Sequence, residues 1–396
     1  MSNQNRVETF GTALKAVVRS NMRQYTMIAA LLLIWVIFSI LTGGNFLKPR
    51  NLSNLFMQMV TFAIMTSGMV LVMVAANIDL SVGSVCGTLG ALVAWLMVVK
   101  GLNPILSISI TLFAGFLVGC WHGFWIAYRK VPAFIVTLAS MMAFKGVTLL
   151  ITRGVTVGEF SEGFKLIGQG YIPTFSIGRE SLHLTTIMLV VIAAIIYLIA
   201  TIKTRKKRIS NGFTVLKPSL EAIKIVIIVA AILGLGMVFA RHWGIPYAIL
   251  ILVAVAAIFT IITNRTPFGR HVYAIGGNIE AARLSGVDVT RTLMRICMLM
   301  GIMTAVGALV FTARLNAATT AAGNGFELEV IASCIIGGTS TTGGIGTIFG
   351  AIIGALVMAS LNNGMELMNW HVMYQYMVKG LVLLIAVWID IANRKK

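Results

Sequence analysis

Acidic residues are scarce. Only 12 Asp and Glu stand among 396 residues, against 31 Lys and Arg, and all charged types together make up 11% of the chain. A soluble domain carries about 25% charged residues, so that class is excluded. Material for metal or nucleophile chemistry is equally thin. His122, His183, His242, His271 and His371 form no helical i,i+4 pair and no HExxH, and Cys86, Cys120, Cys297 and Cys334 fall singly inside apolar runs. Neither a metal site nor a disulfide is expected, and the cysteines read as small apolar residues. The chain has no GxSxG, no catalytic-cysteine motif and no phosphate-cradling GxxxxGKS/T loop. It is therefore expected not to be an enzyme and to bind no cofactor or metal of its own.

What fills the chain is apolar. Hydrophobic residues make up 58% and mean hydropathy is +0.93. Windows of about 17 to 25 residues suffice to cross a hydrocarbon core of about 30 Å. The candidates are Thr26–Thr42, Phe56–Ala76, Val82–Val99, Ile105–Ala127, Pro132–Thr152, Leu182–Ile202, Ala222–Ala240, Ile245–Thr263, Leu293–Ala313, a short Leu328–Ser340, Gly346–Leu361 and Val372–Ile389. If the N-terminus is cytoplasmic and every candidate crosses, 21 Lys and Arg face the cytoplasm and eight the opposite side. That bias follows the positive-inside rule and accounts for the net charge of +19 without nucleic acid. The fold expected is an all-α polytopic membrane protein of about 12 transmembrane helices. Eleven spans plus a re-entrant segment at Leu328–Ser340 is the alternative, which would place the tail 393–396 outside.

Residues 1–25 form a cytoplasmic N-terminal segment before an uncleaved first span, because no small-x-small cleavage site follows the apolar run. Val7, Phe10, Leu14, Val17 and Val18 take helical spacing opposite Lys15 and Arg19, so residues 7–23 either lie on the inner membrane surface or form a disordered tail. The long outside loop 153–181 carries mixed charge, from Arg153, Glu159, Glu162, Lys165, Arg179 and Glu180, and suits a soluble partner or no partner. The basic loop 203–221 suits anionic lipid head groups, each Lys or Arg contributing about 1 kcal/mol.

Two glycine-rich stretches sit symmetrically. Asn77-Ile78-Asp79-Leu80-Ser81 leads into Gly83-xxx-Gly87, and Gly337-Gly338-Thr339-Ser340-Thr341-Thr342-Gly343-Gly344 leads into Gly346-xxx-Gly350-xxx-Gly354. Small residues four apart let transmembrane helices pack closely. Polar backbone at membrane depth needs cover from protein or a water-filled cavity. Two such stretches suggest an internal repeat around a translocation path, with Asn77, Asp79, Ser84, Thr339 and Ser340 as path candidates. Asp79 alternatively caps the helix beginning near Leu80. Lys145, Glu327, Glu329, Glu366 and Lys379 lie in or beside spans without the in-register series of a proton relay.

Between the eighth and ninth spans lies a cytoplasmic loop, 264–292, containing the insert Ala274–Arg291. Asn278 can cap a short helix with Glu280 in its first turn, and Gly286 can end it in a left-handed conformation. Such a helix is too short and polar to span. It suits an element lying against a soluble partner, or a plain amphipathic connector.

The runs NIDLSVGS at 77–84, RKVPAFIVTLASMMAFKGV at 129–147, GRHVYAIGGNIEAARLSGV at 269–287, ELEVIASCIIGGTSTTGGIGTIFGAIIGA at 327–355 and VKGLVLLIAVWID at 378–390 resemble the ribose/xylose-type permeases of bacterial ATP-binding-cassette sugar importers. The resemblance covers most of residues 26–392, the transmembrane permease domain. It implies a type II-like importer permease, a ten-helix core plus two inserted spans at 182–240, the insertion being shared with xylose-type and multiple-monosaccharide permeases. It further implies a homodimer in the bacterial inner membrane with both termini cytoplasmic, two ATPase subunits that bind ATP and Mg, and a periplasmic sugar-binding protein. The ATPase-coupling role falls on Gly276, Gly277, Asn278, Glu280, Ala281, Arg283, Leu284 and Gly286. A xylose-like pentose or hexose is the cargo favoured. A secondary ion-coupled transporter, or a related permease for nucleosides or branched-chain amino acids, are the alternatives.

Overall fold

A computed structural model describes residues 22–174, 182–213, 215 and 218–392. The amphipathic N-terminal segment, the charges Arg179 and Glu180 and the tail 393–396 lie outside the described residues. The chain is almost wholly helical: α1 Met22–Leu41, α2 Pro49–Val74, α3 Val82–Ala94, α4 Pro104–Gly123, α5 Ala133–Thr152, α6 Glu162–Gln169, α7 Leu184–Ser210, α8 Pro218–Ala240, α9 Tyr247–Arg265, α10 Pro267–Gly277, α11 Ile279–Leu284, α12 Val289–Leu315, α13 Phe326–Ile336, α14 Ile348–Leu367 and α15 Val372–Ala392. Single π-helical turns, Trp95–Val99 and Phe124–Tyr128, prolong α3 and α4. Among the described residues ten helices are long and apolar enough to cross a membrane, and Thr26–Leu41 of α1 is a shorter apolar one.

The short candidate at 328–340 is the 11-residue α13. At about 1.5 Å per residue it covers roughly half a hydrocarbon core. The non-helical residues before it do not leave the bundle. A β-carbon at Gly87 of α3 would overlap the carbonyl oxygen of Ala322, and one at Gly83 would overlap that of Gly323. Irregular backbone is thus covered by protein, the condition for keeping it at membrane depth.

The described residues form two compact units. The smaller holds the described residues within 22–26, 48–53 and 171–245. Its core is the hairpin of α7 and α8, with Gly236 packed on Val190 and an ion pair between Arg205 and Glu221. His183 caps α7, its ring nitrogen 2.9 Å from the Thr186 hydroxyl, and its amide donates to Ala240 O at 2.9 Å. The inserted pair of spans expected at 182–240 falls within this unit.

The larger unit holds the remaining helices. α2, α3, α12 and α14 are mostly buried, whereas α4, α5, α9 and α15 present most of their apolar surface outward. That distribution suits lipid as solvent, since such exposed patches are unusual on soluble monomers. α4 lies tightly on α12 because Gly115, Gly119 and Gly123 form a stripe at four-residue spacing. A β-carbon at Gly115 would come within 2.6 Å of Gly301 O and one at Gly119 within 2.7 Å of Met298 Cα. Trp35 of α1 donates to Ser360 of α14 at 2.9 Å.

At one end, β1 (Val157–Gly158) pairs antiparallel with β2 (Ala317–Ala318), and Phe160 and Phe164 bury against Leu309 and Ala313 of α12. The first part of the mixed-charge loop 153–181 is therefore folded against the end of α12 and contains the amphipathic α6. The larger unit also closes across the insertion, since the Tyr247 amide donates to Gly170 O at 3.0 Å.

Candidate functional site

The segment between α9 and α12 is a chain of caps. Thr266 caps α10 through a 3.1 Å bond from Gly269 N, with Pro267 in the first turn. Asn278 caps α11, its Oδ1 accepting from Glu280 N and Ala281 N, both at 3.0 Å. Gly286 then takes φ +83°, and Asp288 caps α12 through a 2.9 Å bond from Arg291 N. Every direction change is thereby fixed by a side chain or a left-handed glycine. The sequence reading found the second cap and Gly286 but missed α10, although Thr266-Pro267 is itself a helix-start signal. Asn278→Ala should remove one cap and lower stability by about 0.5–2 kcal/mol, readable as a lowered thermal midpoint of the purified protein.

One face of this arm is anchored. Ile275, Ala282 and Val289 form a small buried cluster with Val287 and Leu293. Gly276 sits against the carbonyl of Val74, where α2 ends, and against the amide of Gly344. That amide donates to Val74 O at 2.9 Å. The Tyr273 hydroxyl donates to Gly346 O at 2.6 Å, and burial holds its phenol above the usual range, so it remains a donor. The arm thus meets the end of α2 and the turn 337–347 through the close backbone approach at Gly276 and the side-chain bond from Tyr273.

The other face is bare. Leu284 is 88% exposed, and Glu280 and Arg283 form a 3.3 Å ion pair with both side chains more than half exposed. Such a pair contributes at most about 1 kcal/mol, so it is easily exchanged for a partner's charges.

Beside the arm opens a cavity of about 520 Å³, bordered by Asn77, Lys130, Pro132, Gly277, Asn278 and Arg283. Asn77 therefore stands at both the first polar break and the arm, its amide donating to Ala75 O at 3.0 Å. Asp79 is buried, and its Oδ1 accepts from Ser81 N at 2.8 Å and from Ser81 Oγ at 2.6 Å. It thus holds the turn leading into α3. Ser84 is buried on α3, where its carbonyl accepts from Thr88 Oγ1 at 3.0 Å. Thr339 and Ser340 are fully buried in the turn before α14, and a β-carbon at Gly346 would come within 2.9 Å of Thr339 Cγ2. Gly350 and Gly354 let α14 cross α13 against the carbonyls of Gly337 and Ser333. Of the five path candidates, Asn77 alone borders the large cavity.

Deeper in the larger unit lies a polar cluster that the sequence did not reveal as one. Glu329 of α13 meets Lys379 of α15 at 2.7 Å and accepts from Asn362 of α14 at 3.0 Å. The first two residues were visible as charges in spans, but nothing local signals that positions so far apart in sequence pair.

Residues 51–171 and 166–387 match the family described as branched-chain amino acid transport system / permease component. Among curated proteins, the chain is 40% identical over 95% of its length to 98% of the xylose transport system permease protein XylH of Haemophilus influenzae. It is 41% identical, again over 95% of its length, to 93% of XylH of Escherichia coli K12. Identity is 33% over 92% of the chain to 91% of the ribose import permease protein RbsC of Bacillus subtilis. No solved structure matches. The chain, an all-α polytopic membrane protein with a braced helical arm at one end, belongs to this permease-component family and is of the ribose/xylose type within it.

Proposed function

We propose that this chain is the membrane-spanning permease subunit of an ATP-driven bacterial importer of a monosaccharide, xylose or a related pentose or hexose. The observation that carries the coupling half is the two-faced arm: Leu284 and Arg283 face outward on α11 while Gly276 and Tyr273 lock α10 to the bundle. The names of the xylose and ribose permease relatives support the cargo. Two copies sit in the inner membrane with their termini cytoplasmic, and the basic end of α7 lies among lipid head groups. Separate ATPase subunits hold ATP and Mg, and a periplasmic sugar-binding protein delivers cargo.

Closure of the ATPases pushes on α11. α10 moves with it as a rigid lever, shifting the end of α2 and the turn before α14, which border the two polar breaks. Access to the path alternates as the cavity beside the arm opens and closes. A neutral cargo needs few charges along that path, and weak contacts favour release.

The test reconstitutes the chain with its ATPase and binding protein and measures ATP hydrolysis and uptake with xylose, ribose, arabinose, galactose, glucose and leucine. One loaded binding protein should stimulate both. Arg283→Glu and Leu284→Asp should each lower the stimulated rates by about tenfold or more, the loss of one interface contact of about 1.4 kcal/mol. Hydrolysis indifferent to sugar and to both substitutions would undo the reading. Stimulation by a branched-chain amino acid alone would keep the architecture and change the cargo.

A further inference from the structure

Off the large cavity, and sharing Asn77, Ile126, Ala133 and Leu293 with its wall, lies a separate chamber of about 20 Å³. Asn77, Asp79, His122 and Thr137 supply its polar lining, and Cys297 and Met300 part of its remaining wall. His122 is 4% exposed and Asp79 7%. Nε2 of His122 has no hydrogen-bond partner among the described residues. Asp79 uses Oδ1 for both of its bonds to Ser81, and no hydrogen bond among the described residues uses Oδ2.

A buried polar nitrogen left unmatched costs about 1–3 kcal/mol, so native interiors rarely leave one in that state. A water needs at least about 10–15 Å³ of such space and two to four polar partners. The chamber meets both conditions. Its walls are also firmly placed: the glycine stripe of α4 presses His122 toward α12, which carries Cys297 and Met300, and the Asp79 turn is fixed by Ser81.

We propose that Asp79 and His122 form a hydroxyl-binding station, which holds one water in this conformation and takes a hydroxyl of a neutral polyhydroxy cargo when the chamber opens into the large cavity. The second half rests on the function proposed above. An imidazole and a carboxylate lining one chamber offer both donor and acceptor to one O–H, as water and a sugar hydroxyl alike require. Leu293 and Ile126, shared by both walls, are the apolar partition that must move. Asp79 and Asn77, two of the path candidates, then act at one place.

Two measurements test the halves separately in the full chain. Radiolytic hydroxyl labelling, read by mass spectrometry, oxidises buried side chains next to bound water. Met300, only 2% exposed, should be labelled in the wild type and at least about fivefold less in His122→Leu. His122→Gln, which keeps a polar group, should retain most of the labelling. No labelling of Met300 in the wild type, or equal labelling in all three proteins, overturns the station whatever the cargo. In the reconstituted importer, His122→Leu should cut uptake by about tenfold and His122→Gln by less than about threefold. Equal uptake by the leucine variant overturns the cargo half. A wild type that labels at Met300 but carries no monosaccharide sinks the sugar reading, and the cargo half with it, while the water site stands.

Discussion

Gly276→Val is expected to reduce uptake by the reconstituted importer at least about a hundredfold, while the neighbouring Gly277→Ala stays within about twofold of wild type. The contrast comes from what a β-carbon would meet. At Gly276 it would overlap the carbonyl oxygen of Val74 and lie 2.6 Å from the amide of Gly344, whereas at Gly277 nothing stands within 4 Å. Backbone cannot rotate aside as a flexible side chain can, so valine must lift α10 from the end of α2. The Tyr273-to-Gly346 hydrogen bond would then open. ATP hydrolysis should persist but lose its dependence on the loaded binding protein. Equal loss in the two variants would mean that the arm works through its outer face alone.

Lys379→Met should destabilise the protein by about 3–5 kcal/mol, because it leaves the buried Glu329 carboxylate without its cation. Adding Glu329→Gln to the same chain should recover most of that loss, since the amide keeps a hydrogen bond to Asn362 and carries no charge to bury. Thermal unfolding of the four proteins in detergent gives the double-mutant cycle directly. The ion pair is a prominent tie between α15 and α13, since no residue in the most apolar window of α15 is fully buried. Additive losses would show that Lys379 and Glu329 act independently.

The spans were legible because lipid imposes a simple rule. A run such as Tyr247–Arg265 must be apolar over its whole length, and composition alone marks it. Caps were legible for a different reason: Asn278 acts on amides two and three residues away, so its partners are in view in the sequence. The limits appear where partners are remote. α13 read as a short crossing, yet its depth depends on residues before it that pack against Gly83 and Gly87, a relation no local window contains. The Gly115, Gly119 and Gly123 stripe was open to the same spacing argument applied to Gly346, Gly350 and Gly354, but no polar run drew attention to it. His122 was judged by the absence of neighbouring ligands. Its setting beside Asp79 arises from the packing of α4 on α12, which histidine spacing does not encode. Thr339 and Ser340 looked like path residues because they are polar at depth, but their hydroxyls sit inside a tight turn.

The hydrogen bond from Tyr247 to Gly170 joins the larger unit on either side of everything from Tyr171 to Ile245. Two residues already in contact need only a short turn to replace what lies between them. A pair of crossings, moreover, returns the chain to the side it left. Parity is preserved, and no later helix reverses its direction or its register with the arm. Replacing residues 171–245 by a short turn would leave that bond and the order of the remaining helices as they are.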